Sequence, residues 1–269
     1  MAMIATAGGA GGGQGAPARV VSINLCTDQL AMLLAAPGQL VSVSTMAREP
    51  ESSALAHVAA DWPVNSGTAE EVFTLRPDLV LAGRYATRST VDLLRRLGVE
   101  VVEFTPETSF DDVRATIARM GRVLGRQDAA RDMLRAFDAG LAGLQRDPGD
   151  NPATAAIYGA NGYVPGVRTL ASDILAAAGM KNLATELGMA VSGNLSLERL
   201  ILARPDVVIR PARYGGASRA EAILDHPVLR NLPMPKGAMT GPEWVCPTPM
   251  LLNAVAEMVA LRDTIANKQ

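Results

Sequence analysis

The sequence predicts an α/β fold: two similar lobes with mainly parallel sheets, joined by a single long backbone helix, with a ligand cleft between them. Three observations carry the prediction. Short apolar runs such as "VVSINL" (20–25) and "DLVLAG" (78–83) alternate with amphipathic stretches, the pattern of buried parallel strands linked by helices. The alternation stops between 110 and 146, where two helical stretches follow one another without a strand. Finally, "LRPDLVLAGRY" at 75–85 returns as "ARPDVVIRPARY" at 203–214, so that Pro77 and Pro205 stand 128 positions apart in a chain of 269. Two copies at so long a period mean a duplicated domain, not a solenoid.

The elements follow in order. "VVSINL" reads as the first strand and "CTDQLAMLLAA" (26–36) as a helix, with Thr27 or Asp28 placed to cap it and Leu30, Leu33 and Leu34 on one face. "PGQL" ends that helix and "VSVST" (41–45) is a second strand. After a polar loop and a Trp-Pro stretch, "TAEEVFTLR" (68–76) begins with Thr and two acids, which suit a helix N-terminus, and Pro77 stops it. "DLVLAG", the helix "STVDLLRRLG" (89–98) and the strand "VEVVEF" (99–104) complete the first lobe's alternation. Val113, Ile117 and Met120 make a helical stripe in the next segment, and Met133, Leu134, Phe137, Leu141 and Leu144 continue it in the one after. From 153 the alternation restarts: strand "ATAAIYG", a Gly-rich loop, helix "TLASDILAAAG", helix "LSLERLILAR" stopped by Pro205, and strand "DVVIR". The expected division is a leader or disordered segment over 1–18, one lobe over 19–126, a connecting helix over 127–146 and a second lobe over 147–269.

Composition narrows the function. A hydrophobic share of 48 % provides two real cores. With 25 basic and 27 acidic residues and no basic stripe, nucleic acid is not an expected partner. No apolar run is long enough to span a membrane. No Gly-x-Ser-x-Gly elbow is present, and the "GGAGGGQG" run precedes the first strand, where a phosphate loop would follow one. The only histidines, His57 and His226, fall outside the expected cleft loops, which argues against both a hydrolase and free metal-ion capture. A chelatase-like α/β enzyme is the rival from another class.

In open parallel sheets ligands sit at the carboxyl ends of strands, and two such edges face to face make an interlobe cleft. The expected lining loops are 24–28, 45–48 and 83–88 from the first lobe, and 159–168, 210–214 and 243–246 from the second. They carry Cys26, Thr27, Arg48, Arg84, Tyr85, Tyr163, Arg210, Tyr214, Trp244 and Cys246 as candidate ligand contacts. If three or more of Arg48, Arg84, Arg88, Arg168, Arg210 and Arg213 face inward, an anionic chelate is favoured. Cys26 and Cys246, one per lobe, leave three readings open: buried small residues, a cross-cleft disulfide, or thiols touching the ligand or its metal.

From Arg19 to the C-terminus the chain resembles the periplasmic substrate-binding proteins of metal-chelate ABC importers, the cobalamin, haem and ferric-siderophore group. The resemblance rests on the order of "VVSIN…DQLAMLLA", the "E…LRPDLVLAGRY" block, the helical backbone, the second block, and "EWVCPTP" before a C-terminal helix. It implies a non-catalytic, monomeric periplasmic binding protein with no cofactor, which delivers its ligand to a permease dimer with little lobe motion. It also implies that Glu70 and Glu198, each seven residues before the Pro of its block, dock on permease arginines. Cobalamin binders place a Trp near position 244, which makes a corrinoid the first expected ligand and a ferric siderophore or haem the second. The chain departs from them at "STMAREP", where Met46 and Arg48 stand in place of an aromatic residue.

Overall fold

The computed structural model describes residues 15–211, 218–232, 236–239 and 241–266. Most of the expected leader, as well as Arg213 and Tyr214, lies outside them.

The first sheet comprises β1 (Val20–Ser22), β2 (Leu40–Ser44), β3 (Val64–Asn65), β4 (Leu79–Gly83) and β5 (Glu100–Phe104), in the order β3-β2-β1-β4-β5. All its pairings are parallel. Its helices are α1 (Leu25–Leu34), α2 (Ala56–Ala59), α3 (Ala69–Thr74), α4 (Arg88–Arg96) and α5 (Phe110–Val123). The long helix α6 (Gln127–Leu144) leads to the second lobe. There β6 (Thr154–Ile157), a small antiparallel pair of β7 (Tyr163–Val164) and β9 (Gly193–Asn194), β8 (Lys181–Asn182), β10 (Val207–Pro211) and β11 (Lys236–Met239) alternate with α7 (Leu170–Ala177), α8 (Leu183–Glu186), α9 (Leu197–Ala203) and α10 (Pro227–Arg230). The helix α11 (Leu251–Ala266) follows. The second sheet runs β11-β10-β6-β8, again parallel, and its strand order corresponds to β5-β4-β1-β2 of the first.

The repeated Arg-Pro-Asp triplet has the same structural role in both lobes. Arg76 and Arg204 adopt left-handed backbone, φ 49° and 48°, which ends α3 and α9. Each precedes a proline, whose ring disfavours the right-handed helical region for its neighbour. The Asp then grips the adjoining central strand at its start. Asp78 accepts from the N–H groups of Ala18 and Arg19 at 2.8 Å, while its own N–H donates to Arg19 O at 2.9 Å. Asp206 accepts from Thr154 N–H at 2.7 Å and donates its N–H to Thr154 O at 2.8 Å. The triplet therefore stops a helix and sets the register of β4 on β1 and of β10 on β6. Asp206→Ala is expected to cost about 1–3 kcal/mol, because it leaves the nearly buried Thr154 N–H without its acceptor. Asp206→Asn, which keeps an acceptor oxygen, should cost less, and urea unfolding midpoints of the two variants measure the difference.

The α1 cap differs from the sequence expectation. Asn24 is the N-cap, and its Oδ1 accepts from Cys26 N–H at 3.1 Å and Thr27 N–H at 3.4 Å. Thr27 and Asp28 instead lie inside the helix, both buried. Asp28 accepts from the Ser44 hydroxyl, and burial pushes its carboxyl up to about 6 against the lowering effect of Ser22 and Ser44.

One hydrophobic cluster runs through both lobes. It joins Val20, Leu79 and Leu81 of the first sheet to Ala155, Ile157 and Val207 of the second, through Ile117 and Met120 of α5, Phe137 and Leu141 of α6, and Leu251 and Val255 of α11. The stripe expected on α5 is wholly inside it: Val113, Ile117 and Met120 are all 0 % exposed. Parting the lobes would bring this shared apolar surface into water, at about 25 cal/mol per Å².

Candidate ligand-binding cleft

The carboxyl ends of five strands converge on one cavity of about 490 Å³: Gly83 of β4, Phe104 of β5, Ile157 of β6, Pro211 of β10 and Met239 of β11 all line it. Parallel pairing with helical crossovers places these ends on one side of each sheet.

On the first-lobe side the wall is Asn24, Cys26 and Thr27 at the start of α1. Gly83 is required beneath it, since a Cβ there would come within 2.7 Å of Asn24 Nδ2. Thr27 brings no free donor, because its hydroxyl is held by Asn24 O at 2.9 Å and Ser22 Oγ at 2.8 Å. Arg84 and Tyr85 follow β4 at the rim, with Tyr85 85 % exposed. On the second-lobe side Tyr163, Thr169 and Ile174 contribute, together with Trp244 from a single 3-10 turn, Pro242–Trp244. The Trp244 indole N–H donates to Glu257 Oε2 at 2.9 Å, which fixes the ring. The other tryptophan, Trp62, donates to Leu40 O and does not line the cavity.

The structure thus gathers Cys26, Thr27, Arg84, Tyr85, Tyr163 and Trp244 at one cavity. Two expectations are corrected. Arg48 turns away from the cleft and donates to the carbonyls of Ala59, Ala60 and Trp62, where a guanidinium satisfies the orphan acceptors at the end of α2. Arg210 lies on β10 beside residues that face the core and does not line the cavity, because alternate strand residues point to opposite faces and its neighbour Pro211 is the one turned inward. Tyr214 lies outside the described residues.

The three cysteine readings resolve to one. Cys26 and Cys246 form a disulfide, with Cα atoms 5.1 Å apart and 220 residues between them in sequence. No thiolate remains to touch a ligand or its metal, and that reading is corrected. The bond ties the start of α1 to the segment just after Trp244, at the edge of the cavity.

The sequence reading missed the loop after β5. Thr105, Pro106 and Glu107 line the cavity, with Thr116 and Met120 of α5. The rule that selected the other loops, carboxyl ends of strands, applies equally to "VEVVEF" and would have found them. Burial pushes the Glu107 carboxyl up, with the Thr116 hydroxyl partly offsetting it.

The two docking candidates sit in the first turns of α3 and α9, both exposed. Glu71 accepts from Ser66 N–H at 2.8 Å, whereas Glu70 makes no hydrogen bond or ion pair with the described residues. Its own backbone N–H and the Ser196 hydroxyl hold the Glu198 carboxyl below the usual range.

Two parallel α/β lobes that share a core and close a mainly apolar cavity between their strand ends define a two-lobed small-molecule binding protein. The chain belongs to the periplasmic binding protein family, whose model matches residues 20–235. It is 29 % identical over 197 residues to a cobalamin-binding protein of Halobacterium salinarum, covering 72 % of this chain and 53 % of that one. The chain therefore spans about half the length of the first curated relatives it matches. It is 22 % identical over 221 residues to the vitamin B12-binding protein of Photorhabdus laumondii subsp. laumondii, covering 80 % of this chain and 78 % of that one. Among solved structures it resembles the periplasmic haem-binding protein of Vibrio cholerae (TM-score 0.73, 20 % identity, covering 90 % of this chain and 98 % of that one). The periplasmic vitamin B12-binding protein of the same organism matches with a TM-score of 0.69 and 18 % identity, covering 94 % and 99 %. These likenesses show the fold. The family and these neighbours are binding proteins, and no helix among the described residues is long and apolar enough to cross a membrane.

Proposed function

We propose that this chain captures cobalamin or a related corrinoid in the interlobe cleft and delivers it to the permease of an ABC importer from outside the cytoplasmic membrane. The observation that carries the ligand class is the fate of the arginines. Of the five described, only Arg84 lines the cavity, while Arg88 lines an adjoining hollow that shares Arg84 and Tyr85 with it. Among the described residues the cavity has a single cation, short of the cationic lining that an anionic chelate calls for. Its broad apolar walls and fixed Trp244 ring suit a large, mostly uncharged macrocycle. The disulfide fits an oxidising compartment.

The second reading is haem. Tyr85 and Tyr163 line the cavity, and a phenolate is a hard donor suited to ferric iron.

Titration of the purified protein with cyanocobalamin, haemin and a ferric hydroxamate siderophore separates these readings. Cyanocobalamin is expected to bind below about 1 μM and to quench the fluorescence of Trp244. Trp62→Phe should keep the quench and Trp244→Phe should lose it. Trp244→Ala should weaken binding by about thirtyfold, as for a buried aromatic anchor. Affinity for cyanocobalamin weaker than about 10 μM, with tighter binding of haemin, transfers the assignment to haem. Conversion of either ligand to product would instead make the chain an enzyme.

A further inference from the structure

Among the described cavity-lining residues Glu107 is the single carboxylate and Arg84 the single cation. Glu107 is half-buried where β5 gives way to α5, between Pro106 and the side chains of Thr116 and Met120. No Lys, Arg or His pairs with it among the described residues. A carboxyl group drawn out of water without a cation is costly, so its neighbours must supply hydrogen bonds.

The protein itself supplies two, from the Thr116 hydroxyl and from the residue's own backbone N–H. Several other polar groups of the cavity are already committed to the chain's own structure. Asn24 caps α1 and Thr27 bonds Asn24 O. The Thr169 hydroxyl donates to Gly166 O at 2.7 Å and accepts from Ser172 N–H. The Trp244 N–H is held by Glu257. A carboxylate can accept about four hydrogen bonds, so Glu107 at the cavity wall keeps acceptor capacity that water or the donors of a bound ligand can fill.

We propose that Glu107 selects the side-chain chemistry of the ligand: it accepts hydrogen bonds from amide N–H groups on the rim of the chelate and rejects carboxylates at the same positions. This rests on the corrinoid reading, and it narrows that reading from a macrocycle to one whose peripheral groups are amides. An amide N–H meets the carboxylate oxygen as donor to acceptor. A carboxylate in its place brings like charge against like in a site of low polarity, where the repulsion is poorly screened. Selection of this kind works by disfavouring the wrong ligand as much as by favouring the right one.

The test compares dicyanocobinamide, whose corrin rim carries amides, with cobyrinic acid, whose rim carries carboxylates, at pH 7.5. The wild-type protein is expected to prefer dicyanocobinamide by at least about tenfold. In Glu107→Gln the preference should shrink to about threefold or less, chiefly through tighter binding of cobyrinic acid, because the new amide can donate to a carboxylate and still accept from an amide. Thermal melting of the near-isosteric variant verifies its fold. A purely structural role for Glu107 would move both affinities together and leave their ratio intact. An unchanged ratio in a variant that binds both probes overturns the selection by Glu107 while leaving the corrinoid assignment standing. A wild-type protein that binds neither probe overturns the corrinoid assignment, and this inference with it.

Discussion

Changing Glu70 and Glu198 together to Ala is expected to leave ligand affinity within about twofold and to cut uptake through the cognate permease by at least about tenfold. Both side chains are exposed, and neither lines the cavity, so ligand binding has no physical reason to respond. Changing both removes the contact that each lobe would supply. Each lobe offers one exposed carboxylate at the start of a short helix, at the same distance in sequence from its Arg-Pro-Asp triplet. Two charge-assisted contacts fix an orientation that one cannot. Glu71 supplies the control. It lies in the same turn as Glu70 but is tied to Ser66, so Glu71→Ala should loosen the start of α3 and leave uptake near normal. Uptake measured in cells carrying the cognate permease decides the matter, and unchanged transport in the double variant removes the docking assignment.

Replacing both cysteines by Ser is expected to lower stability by about 5 kcal/mol, the scale that chain entropy sets for removing a cross-link across so long a loop. The bond closes a loop of 220 residues, most of the molecule, so the freedom restored to the unfolded chain is near its maximum. For a chain of this size that corresponds to a fall in Tm of about 10–20 °C. The native contacts around the bond should survive, since Ser fills nearly the same volume and the shared core holds the lobes in place. Melting of the double variant beside the oxidised wild type measures the effect. A shift below about 2 °C would mean that the core alone fixes the lobes and that the bond adds little.

How much of this was legible depends on what each residue's neighbours in sequence could reveal. The strands β4 and β10 announced themselves, because a continuous apolar run bounded by Pro and Gly has few other readings. The two-residue strands β3 and β8 did not, since so short a segment carries no period and is extended only because a neighbour pairs with it. At α1 the polar run Thr27-Asp28 looked like a cap. The better cap, Asn24, sits one residue before the helix, and Asp28 lies inside because Ser44 of β2 waits there to bond it. The cleft was legible as a set of loops, since strand polarity dictates where they gather. The aim of individual side chains was not. Arg48 is in a loop at the right end of β2, yet its long side chain reaches the carbonyls at the end of α2 instead. The pairing of Cys26 with Cys246 was one of three open readings, because their proximity is a property of how the lobes meet.

The hydrophobic cluster that passes from one sheet to the other bears on what counts as a unit in this molecule. Topology divides the chain into two copies of one motif, but the residues that exclude water are drawn from both. Ile117, Phe137 and Leu251 belong to this shared cluster, while each copy keeps a second cluster of its own, around Val80 and Leu94 in the first and around Leu200 and Val208 in the second. Removed from its twin, a single lobe would present that surface to solvent and would lack the contacts that offset the entropy of ordering its chain. The repeat is therefore a repeat of architecture whose two copies are coupled through the core they share.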